Sequence, residues 1–530
     1  MNTTESAPRT TFAVLLLSLF AAASSLAADI LPKPVRLEPR EGFFVLDAGT
    51  RIAVETATRR SGQYLAERLR RATGLPLPVG ETAGNNTIDL TTARANTTLG
   101  DEGYEMDISS HAVVVRAPGD DGVFHGIQTL LQLLPPQVLS DTPINGVEWK
   151  ISCLRIEDRP RFPWRGLMLD CSRTFQSLDY LRKTIDRMAA YKMNVLHLHL
   201  TDDQGWRLEI KKYPELTRKG ARFAEKYHEP AANQGFYTQA EMKELIEYAR
   251  QRHVEIVPEI EEPGHSLAAL ACYPQLSCTG GPFEIFPNGK GPGILQDIFC
   301  AGNDATFEFL NDVFAEVAAI FPSKFVHIGG DEAPKDRWKA CPKCQARIKA
   351  EGLKNEAELQ AYVTRRVEKI LAKYGKRLIG WDEIIEGGLA PNAAVMSWRG
   401  AKGGVLAAKA GHDVVMSPTS HCYFDYTYTA IDSERAYSYE PVPAELTPEE
   451  AKHVLGLQAN FWSHIDRTPD RVDQQLFPRL LSLAERGWSP KEVRDWNEFQ
   501  PRLDAQLPRL AQMGVHYRPA PVVLPGPKTE

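Results

Sequence analysis

Asp331 and Glu332 stand side by side where an apolar run ends, in "VHIGGDEAPKDRW" (326–338). On an extended backbone, neighbouring side chains point different ways, so the two carboxyls would meet different parts of a bound molecule. One can move a proton while the other does something else. Crowding raises the pKa of one member of such a pair, which keeps an acid protonated near neutrality. Cleaving a glycosidic bond is chemistry of this kind. The leaving oxygen needs an acid, and the oxocarbenium-like centre needs stabilisation.

The elements that must position these acids show in the hydrophobic spacing. Eight short apolar runs follow one another: "RGLMLD" (165), "MNVLHLHL" (193), "HVEIVPEI" (253), "KFVHIGG" (324), "RLIGWDE" (377), "AVMSWR" (394), "DVVMSP" (413) and "VLGLQANFW" (454). Amphipathic helical stretches such as "LDYLRKTIDRMAAYK" and "EAELQAYVTRRVEKILAKYG" fall between most of them. Near-continuous apolar strands with helical crossovers predict a parallel sheet covered by helices, and eight units predict a (β/α)8 TIM barrel. A doubly wound open sheet is the alternative, but no glycine-rich phosphate loop follows the first run. The link after the seventh run is long and irregular. The helical stretches "RVDQQLFPRLLSLAERGW" and "FQPRLDAQLPRLAQMG" are expected to close the barrel.

Barrel active sites lie at the C-terminal strand ends. Those ends carry Asp170 and Arg173; His197, His199, Asp202, Asp203 and Trp206; Glu259, Glu261 and His265; His327, Asp331 and Glu332; Trp381, Asp382 and Glu383; Trp398 and Arg399; Tyr423 and Asp425; and Trp462 and His464. Any one carboxylate could be a helix cap or an ion-pair partner, and any one tryptophan could be core. Three tryptophans at the same end of the barrel, with several acids, suit a sugar ring, which has flat C–H faces and a rim of hydroxyls. Two other readings use the same residues. In a metal-dependent amidohydrolase barrel, His197, His199, His265, His327 and Asp331 would be ligands, although that pattern starts on the first strand, where Arg173 stands here. A non-catalytic sugar-binding barrel would not call for so many titratable groups.

The rest of the 530-residue chain sets the context. Its 62 basic and 68 acidic residues leave a net charge of −6, which offers nucleic acid no positive field. The stretch "FAVLLLSLFAAASSLAA" (12–28) reads as a cleaved export signal, with the mature chain starting at "DILPKP" and holding no membrane span. From 29 to 157, strand-like runs ("GFFVL", "RIAV", "TIDLT", "YEMDIS", "AVVVRA") and two helical segments predict a small α+β accessory domain. The expected layout is therefore a signal at 1–28, the accessory domain at 29–157, the barrel at 158–515 and a tail at 516–530. Export allows disulfides among the eight cysteines. Cys278 and Cys300 bracket a Gly/Pro-rich loop that a bridge would staple. Cys341 and Cys344 form "CPKC", read as a tight local disulfide or two reduced thiols in preference to a redox or half-zinc motif. Cys153, Cys171 and Cys422 read as buried single thiols.

At this point the motifs resemble a known family. "HIGGDE" closely resembles the signature of the β-N-acetylhexosaminidases of glycoside hydrolase family 20, and "HLHLTDDQGWR", "PEIEEPGH", "GWDE", "SWRG" and "LQANFW" follow the family's order. "EGFFVLDAGTRI" and "GVFHGIQTLLQLLP" resemble its accessory domain. The resemblance implies exo-hydrolysis of terminal N-acetylglucosamine or N-acetylgalactosamine from a glycan. The substrate's own 2-acetamido oxygen would be the nucleophile, with no cofactor and no catalytic metal. It further implies Glu332 as general acid/base and Asp331 as the group orienting the acetamido N–H. Tyr423 would donate to the acetamido oxygen, and Trp381, Trp398 and Trp462 would wall the pocket. Arg173 and Asp425 would bind sugar hydroxyls, while Asp202 or Asp203 and His265 would tune Glu332. Two departures stand out. Glu261 occupies a position usually held by Asp, and the longer side chain is expected to reach His265. His464 stands where the family usually carries a glutamate that binds the C4 and C6 hydroxyls, so altered recognition there is expected.

Overall fold

The computed structural model describes residues 29–291, 295–464 and 467–519. The expected export signal, and the tail beyond residue 519, lie outside the described residues. Among the described residues, no helix is long and apolar enough to cross a membrane. The chain forms two compact units, one made of residues up to Pro160 with Ser489–Gly514, the other of Arg161–Trp488 with the segment from Val515.

The first unit is built on a seven-stranded mixed sheet. Its strands run in the order Arg36–Val45, Lys150–Asp158, Tyr104–Ile108, Ala112–Arg116, Thr87–Thr91, Arg51–Val54, Val79–Gly80. Helices Arg59–Thr73 and Asp120–Leu133 pack in this unit. Gly126 sits in the second helix because a β-carbon there would come within 2.4 Å of Val115 Cγ1 on the sheet.

The helix Trp496–Gln512 belongs to this unit and does not close the barrel as the sequence pattern suggested. Its Arg509 donates to the carbonyls of Leu131 (3.1 Å), Gln132 (2.6 Å) and Leu134, the last turn of helix Asp120–Leu133. Arg502 donates to Ile30 O at 3.1 Å. Carbonyls at a helix C-terminus have no intrahelical partner, and a buried guanidinium supplies one. An amphipathic stripe tells which face is buried but not against what.

The second unit is a closed barrel of eight parallel strands: Trp164–Asp170, Val195–His199, Glu255–Glu259, Phe325–His327, Arg377–Trp381, Ala394–Ser397, Val414–Met416 and Val454–Phe461. Closure between the last strand and the first, paired from Gly456↔Trp164 to Phe461↔Leu169, rules out the open doubly wound sheet. All eight apolar runs of the sequence became barrel strands, because buried parallel strands need apolar residues on both faces. Trp164, Val195, Val257, Ile379, Met396 and Val415 fill the interior. At Gly456 the backbone has φ +148° and a β-carbon would lie 1.9 Å from Trp164 O, so only glycine fits where the register shifts. Between the seventh and eighth strands only short helices form, Thr419–Cys422 and Ser433–Ser438.

The bridge expected between Cys278 and Cys300 is absent, and of the two readings of CPKC the structure has the free thiols. All eight cysteines are free, and neither Cys278–Cys300 nor Cys341–Cys344 is bridged. Cys153, Cys171 and Cys422 are buried thiols.

Candidate active site

The strand ends deliver most of the expected groups to one cavity of about 490 Å³. Arg173, Asp203, His265, Asp331, Glu332, Trp398, Tyr423, Asp425, Trp462 and His464 line it. Asp202 and Trp381 do not; each is 1% exposed. Asp202 lies behind the lining as the partner of Arg173, 2.8 Å away. Trp381, expected as a wall, packs against Trp462 (ring centroids 5.8 Å apart) and donates its indole N–H to Glu259 at 2.9 Å.

The backbone of the signature separates the two acids. Gly329 and Gly330 have φ +68° and +90°, and a β-carbon on Gly329 would lie 1.7 Å from Glu261 Oε2. Glu332 itself is left-handed at φ +42°, a strained conformation for a side chain of its kind. The turn leaves Asp331 buried, at 8% exposure, and the Glu332 side chain 38% exposed. Asp331 Oδ1 is buried with no hydrogen-bond partner. Burial raises the Asp331 pKa above the usual carboxylate range. The hydrogen bond from His265 holds Glu332 below it. Crowding was expected to raise one member of the pair, and the raised member is Asp331. Burial falls on Asp331, and the His265 imidazole faces Glu332.

His265 links these acids to a second pair. Its Nε2 is 3.5 Å from Glu332 Oε2, and its Nδ1 is 3.3 Å from Asp202 Oδ1 and 3.4 Å from Asp203 Oδ2. Burial opposes its charge, but Asp202 above all outweighs burial and lifts the imidazole well above the ordinary histidine value. Asp202 in turn is held well below the usual range, where Arg173 and His265 overcome its burial. Glu261 does not hold His265 as expected. Its Oε1 is 3.9 Å from His199 Nδ1, and neither carboxyl oxygen has a hydrogen-bond partner. Burial and the Asp331 charge push its carboxyl well up.

Three of the four histidines on which a metal reading rests, His197, His199 and His327, surround one buried carboxylate. Glu259 Oε2 lies 2.5 Å from His199 Nδ1 and 3.1 Å from His197 Nε2, and its Oε1 is 2.8 Å from His327 Nδ1. Burial lowers His197 to about 4. Burial also opposes charge on His199, yet Glu259 and Asp202 raise it to about 10. All four groups are fully buried, and none of them lines the cavity.

The aromatic walls complete the site. Trp398 stacks on Tyr423 (centroids 6.1 Å apart, planes 24° apart), and the Arg173 guanidinium sits 4.8 Å over the Trp462 ring. Burial, then the Asp331 charge, push the Tyr423 phenol well up, so it keeps its O–H. Burial raises Asp425 to about 7, and His464 Nε2 stands 3.9 Å from Asp425 Oδ2.

Comparison with known proteins matches this architecture. Residues 162–491 match the model of the glycosyl hydrolase family 20 catalytic domain, and residues 27–159 match that of domain 2 of the same family. The chain belongs to glycosyl hydrolase family 20. A beta-hexosaminidase of Porphyromonas gingivalis is 43% identical to this family 20 chain over 508 residues, covering 92% of the chain. The chain spans 64% of that relative's length. The Streptomyces coelicolor GH20 beta-N-acetylhexosaminidase has a similar structure, with a TM-score of 0.83 and 36% identity over 94% of this chain and 98% of that one. So does the Streptomyces plicatus enzyme solved with Thio-NAglucal, with a TM-score of 0.82 and 35% identity over 94% and 97%.

Two features of this family 20 site were given no role in it from sequence. Glu383 accepts the Trp398 indole N–H at 2.9 Å, and burial with the Asp331 charge raises it to about 8. Its place in "GWDE" at a strand end was the available signal. The second is a wall formed by Phe286, Pro287, Asn288, Gly289, Gly291 and Leu295 of the Gly/Pro-rich loop. Asn288 reaches across it to donate to His464 O at 2.7 Å. No local pattern tells which way such a loop folds.

Proposed function

We propose that the chain is a retaining exo-β-N-acetylhexosaminidase that removes terminal N-acetylglucosamine or N-acetylgalactosamine from glycans, with the substrate's acetamido oxygen as nucleophile. The observation that carries this is the buried, unpartnered Oδ1 of Asp331 beside the exposed Glu332 carboxyl. An orphaned buried acceptor costs about 1–3 kcal/mol until a donor arrives. The N–H of a 2-acetamido group is such a donor.

In this reading Asp331 accepts the acetamido N–H and stabilises the positive charge that develops as the oxygen attacks the anomeric carbon. Tyr423 keeps its proton and donates to that oxygen, fixing its line of attack. Glu332 protonates the departing oxygen, and the bond to the leaving group breaks as the oxazolinium ring closes. Glu332 then takes a proton from water, which opens the ring with retention. The proton that Glu332 needs is favoured on His265 next to it, whose imidazole is raised well above its ordinary value. Substrate that covers Glu332 strips it of water and favours its neutral form. Trp398 and Trp462 offer faces to the ring, and Arg173, Asp425 and His464 meet its hydroxyls. Export through the segment at 1–28 would bring the site to such glycans.

Turnover of 4-nitrophenyl N-acetylglucosaminide with a thiazoline that mimics the oxazolinium ring tests the proposal. Inhibition far tighter than by N-acetylglucosamine is expected. A good substrate whose turnover the thiazoline leaves untouched would refute it.

A further inference from the structure

Four of the eight cysteines, from three separate stretches of sequence, meet in the barrel unit. Cys278 follows the turn Pro274–Leu276, Cys300 ends the Gly/Pro-rich loop, and Cys341 and Cys344 flank the start of helix Pro342–Ala350. Their sulfurs all lie within 4.8 Å of one another. Three separations are 3.7 Å (Cys278–Cys344), 3.7 Å (Cys300–Cys344) and 3.8 Å (Cys300–Cys341). A disulfide needs about 2.05 Å between sulfurs. A tetrahedron of sulfurs each about 2.3 Å from a central zinc has edges of about 3.8 Å. The observed spacing is that of ligands around an ion.

The backbone is shaped around this cluster as well. Gly302 presses so close to the peptide between the two CPKC cysteines that a β-carbon would lie 2.2 Å from Lys343 C. From there its N–H donates to the sulfurs of Cys300 and Cys344. Backbone N–H groups aimed at sulfur support thiolate charge, as second-shell donors do around metals. Cys300, Cys341 and Cys344 are buried, so bulk water does not screen the group.

We infer that Cys278, Cys300, Cys341 and Cys344 bind one zinc(II) ion in a closed, structural tetrathiolate site. Soft thiolates select zinc over the hard divalent cations, and four sulfur ligands leave no open position for chemistry. Binding converts four thiols and one zinc(II) into a tetrathiolate complex and releases four protons; no electron is transferred. The ion would tie both ends of the loop at 279–299, whose inner residues line the active-site cavity, to the segment that follows Glu332. Backbone contacts already mark that junction: Cys300 N–H donates to Leu276 O at 2.8 Å, and the Trp338 indole donates to Phe299 O at 2.9 Å. The site is a clamp on one cavity wall and is separate from the reacting groups.

The test is metal analysis of the full chain purified without chelator, by elemental analysis and native mass spectrometry. One zinc per chain is expected, released in step with modification of four thiols by a mercurial. Cobalt(II) exchanged into the site should give the charge-transfer and tetrahedral ligand-field bands of a tetrathiolate. Cys278→Ser should lose the zinc, while Cys153→Ser, in the other unit, should keep it. Should the cluster variants fail to fold, the wild-type metal content and the cobalt spectrum decide alone. Two disulfides among these four cysteines, four freely alkylated thiols that take up no zinc when it is supplied, or stoichiometric iron in its place would each overturn the inference.

Discussion

His265 Nε2 lies 3.5 Å from Glu332 Oε2, and its other nitrogen faces Asp202 and Asp203. The general acid of the proposed reaction thus shares its proton with an imidazole that is itself backed by two carboxylates. His265 is raised well above its ordinary value while Glu332 is held low, which favours the proton on the histidine.

The alkaline limb of kcat/KM follows from that sharing. Activity needs one proton on the Glu332–His265 pair, and the pair gives it up only above the ordinary histidine pKa of about 6.5. In His265→Ala the proton must sit on Glu332 alone, and a lone carboxyl releases it at lower pH. The limb is expected to move down in pH, with the variant losing most above neutrality. A pH profile with an unmoved limb would show that His265 does not hold the proton.

Leaving-group dependence separates the two acids. Glu332→Gln should cost about 10²–10⁴-fold on alkyl glycosides or oligosaccharides, which need protonation, and far less on aryl glycosides with acidic phenols. Asp331→Asn should hurt all leaving groups, because it weakens the nucleophilic step common to them. Steady-state kinetics over a series of phenols checks this. The same loss on every substrate for both variants would undo the assignment.

Glu262 supplies a stability prediction with a definite sign. It is fully buried, neither carboxyl oxygen has a partner, and burial pushes it to about 8. The folded chain therefore keeps a proton that the unfolded chain releases near pH 4.5, and stability falls as pH rises from about 4.5 to about 8. Glu262→Gln removes that slope. Its melting temperature should gain on wild type as pH rises through this window, and a constant difference across it would contradict the burial argument.

Gly329 is pinned by Glu261. Gly329→Ala places a methyl 1.7 Å from a carboxyl oxygen in a left-handed backbone, and should cost about 2–4 kcal/mol and displace the Asp331–Glu332 turn. Denaturant unfolding and turnover measure it. Wild-type stability would mean that Glu261 has room to yield.

In the cavity lining, His464→Glu should change the preference between N-acetylglucosamine and N-acetylgalactosamine aryl glycosides by about tenfold, since a carboxylate can accept from two hydroxyls where an imidazole cannot. An unchanged ratio of kcat/KM values would remove His464 from sugar recognition.

The barrel was legible because its strands are buried on both faces for most of their length and are written as near-continuous apolar runs; the acids and tryptophans at the run ends followed from that. Burial of individual groups was not legible. Asp331 and Glu332 are neighbours with the same charge, and a turn with positive φ at Gly329, Gly330 and Glu332 leaves one buried and the other part-exposed. The partner of an amphipathic helix was hidden too, so Trp496–Gln512 read as part of the barrel until Arg509 was seen on the carbonyls of Leu131 and Gln132. Cys278 and Cys344 are 66 residues apart, and spacing alone could not show that they meet.

The most direct test of acetamido participation is a series of 4-nitrophenyl glycosides whose N-acetyl group carries zero, one, two or three fluorines. Fluorine withdraws electrons from the acetamido oxygen and leaves the aglycone unchanged. If that oxygen attacks the anomeric carbon, held by Asp331 and Tyr423, kcat/KM falls steeply with each fluorine. A rate independent of fluorination would contradict the account, because the nucleophile would then be a group of the protein or water.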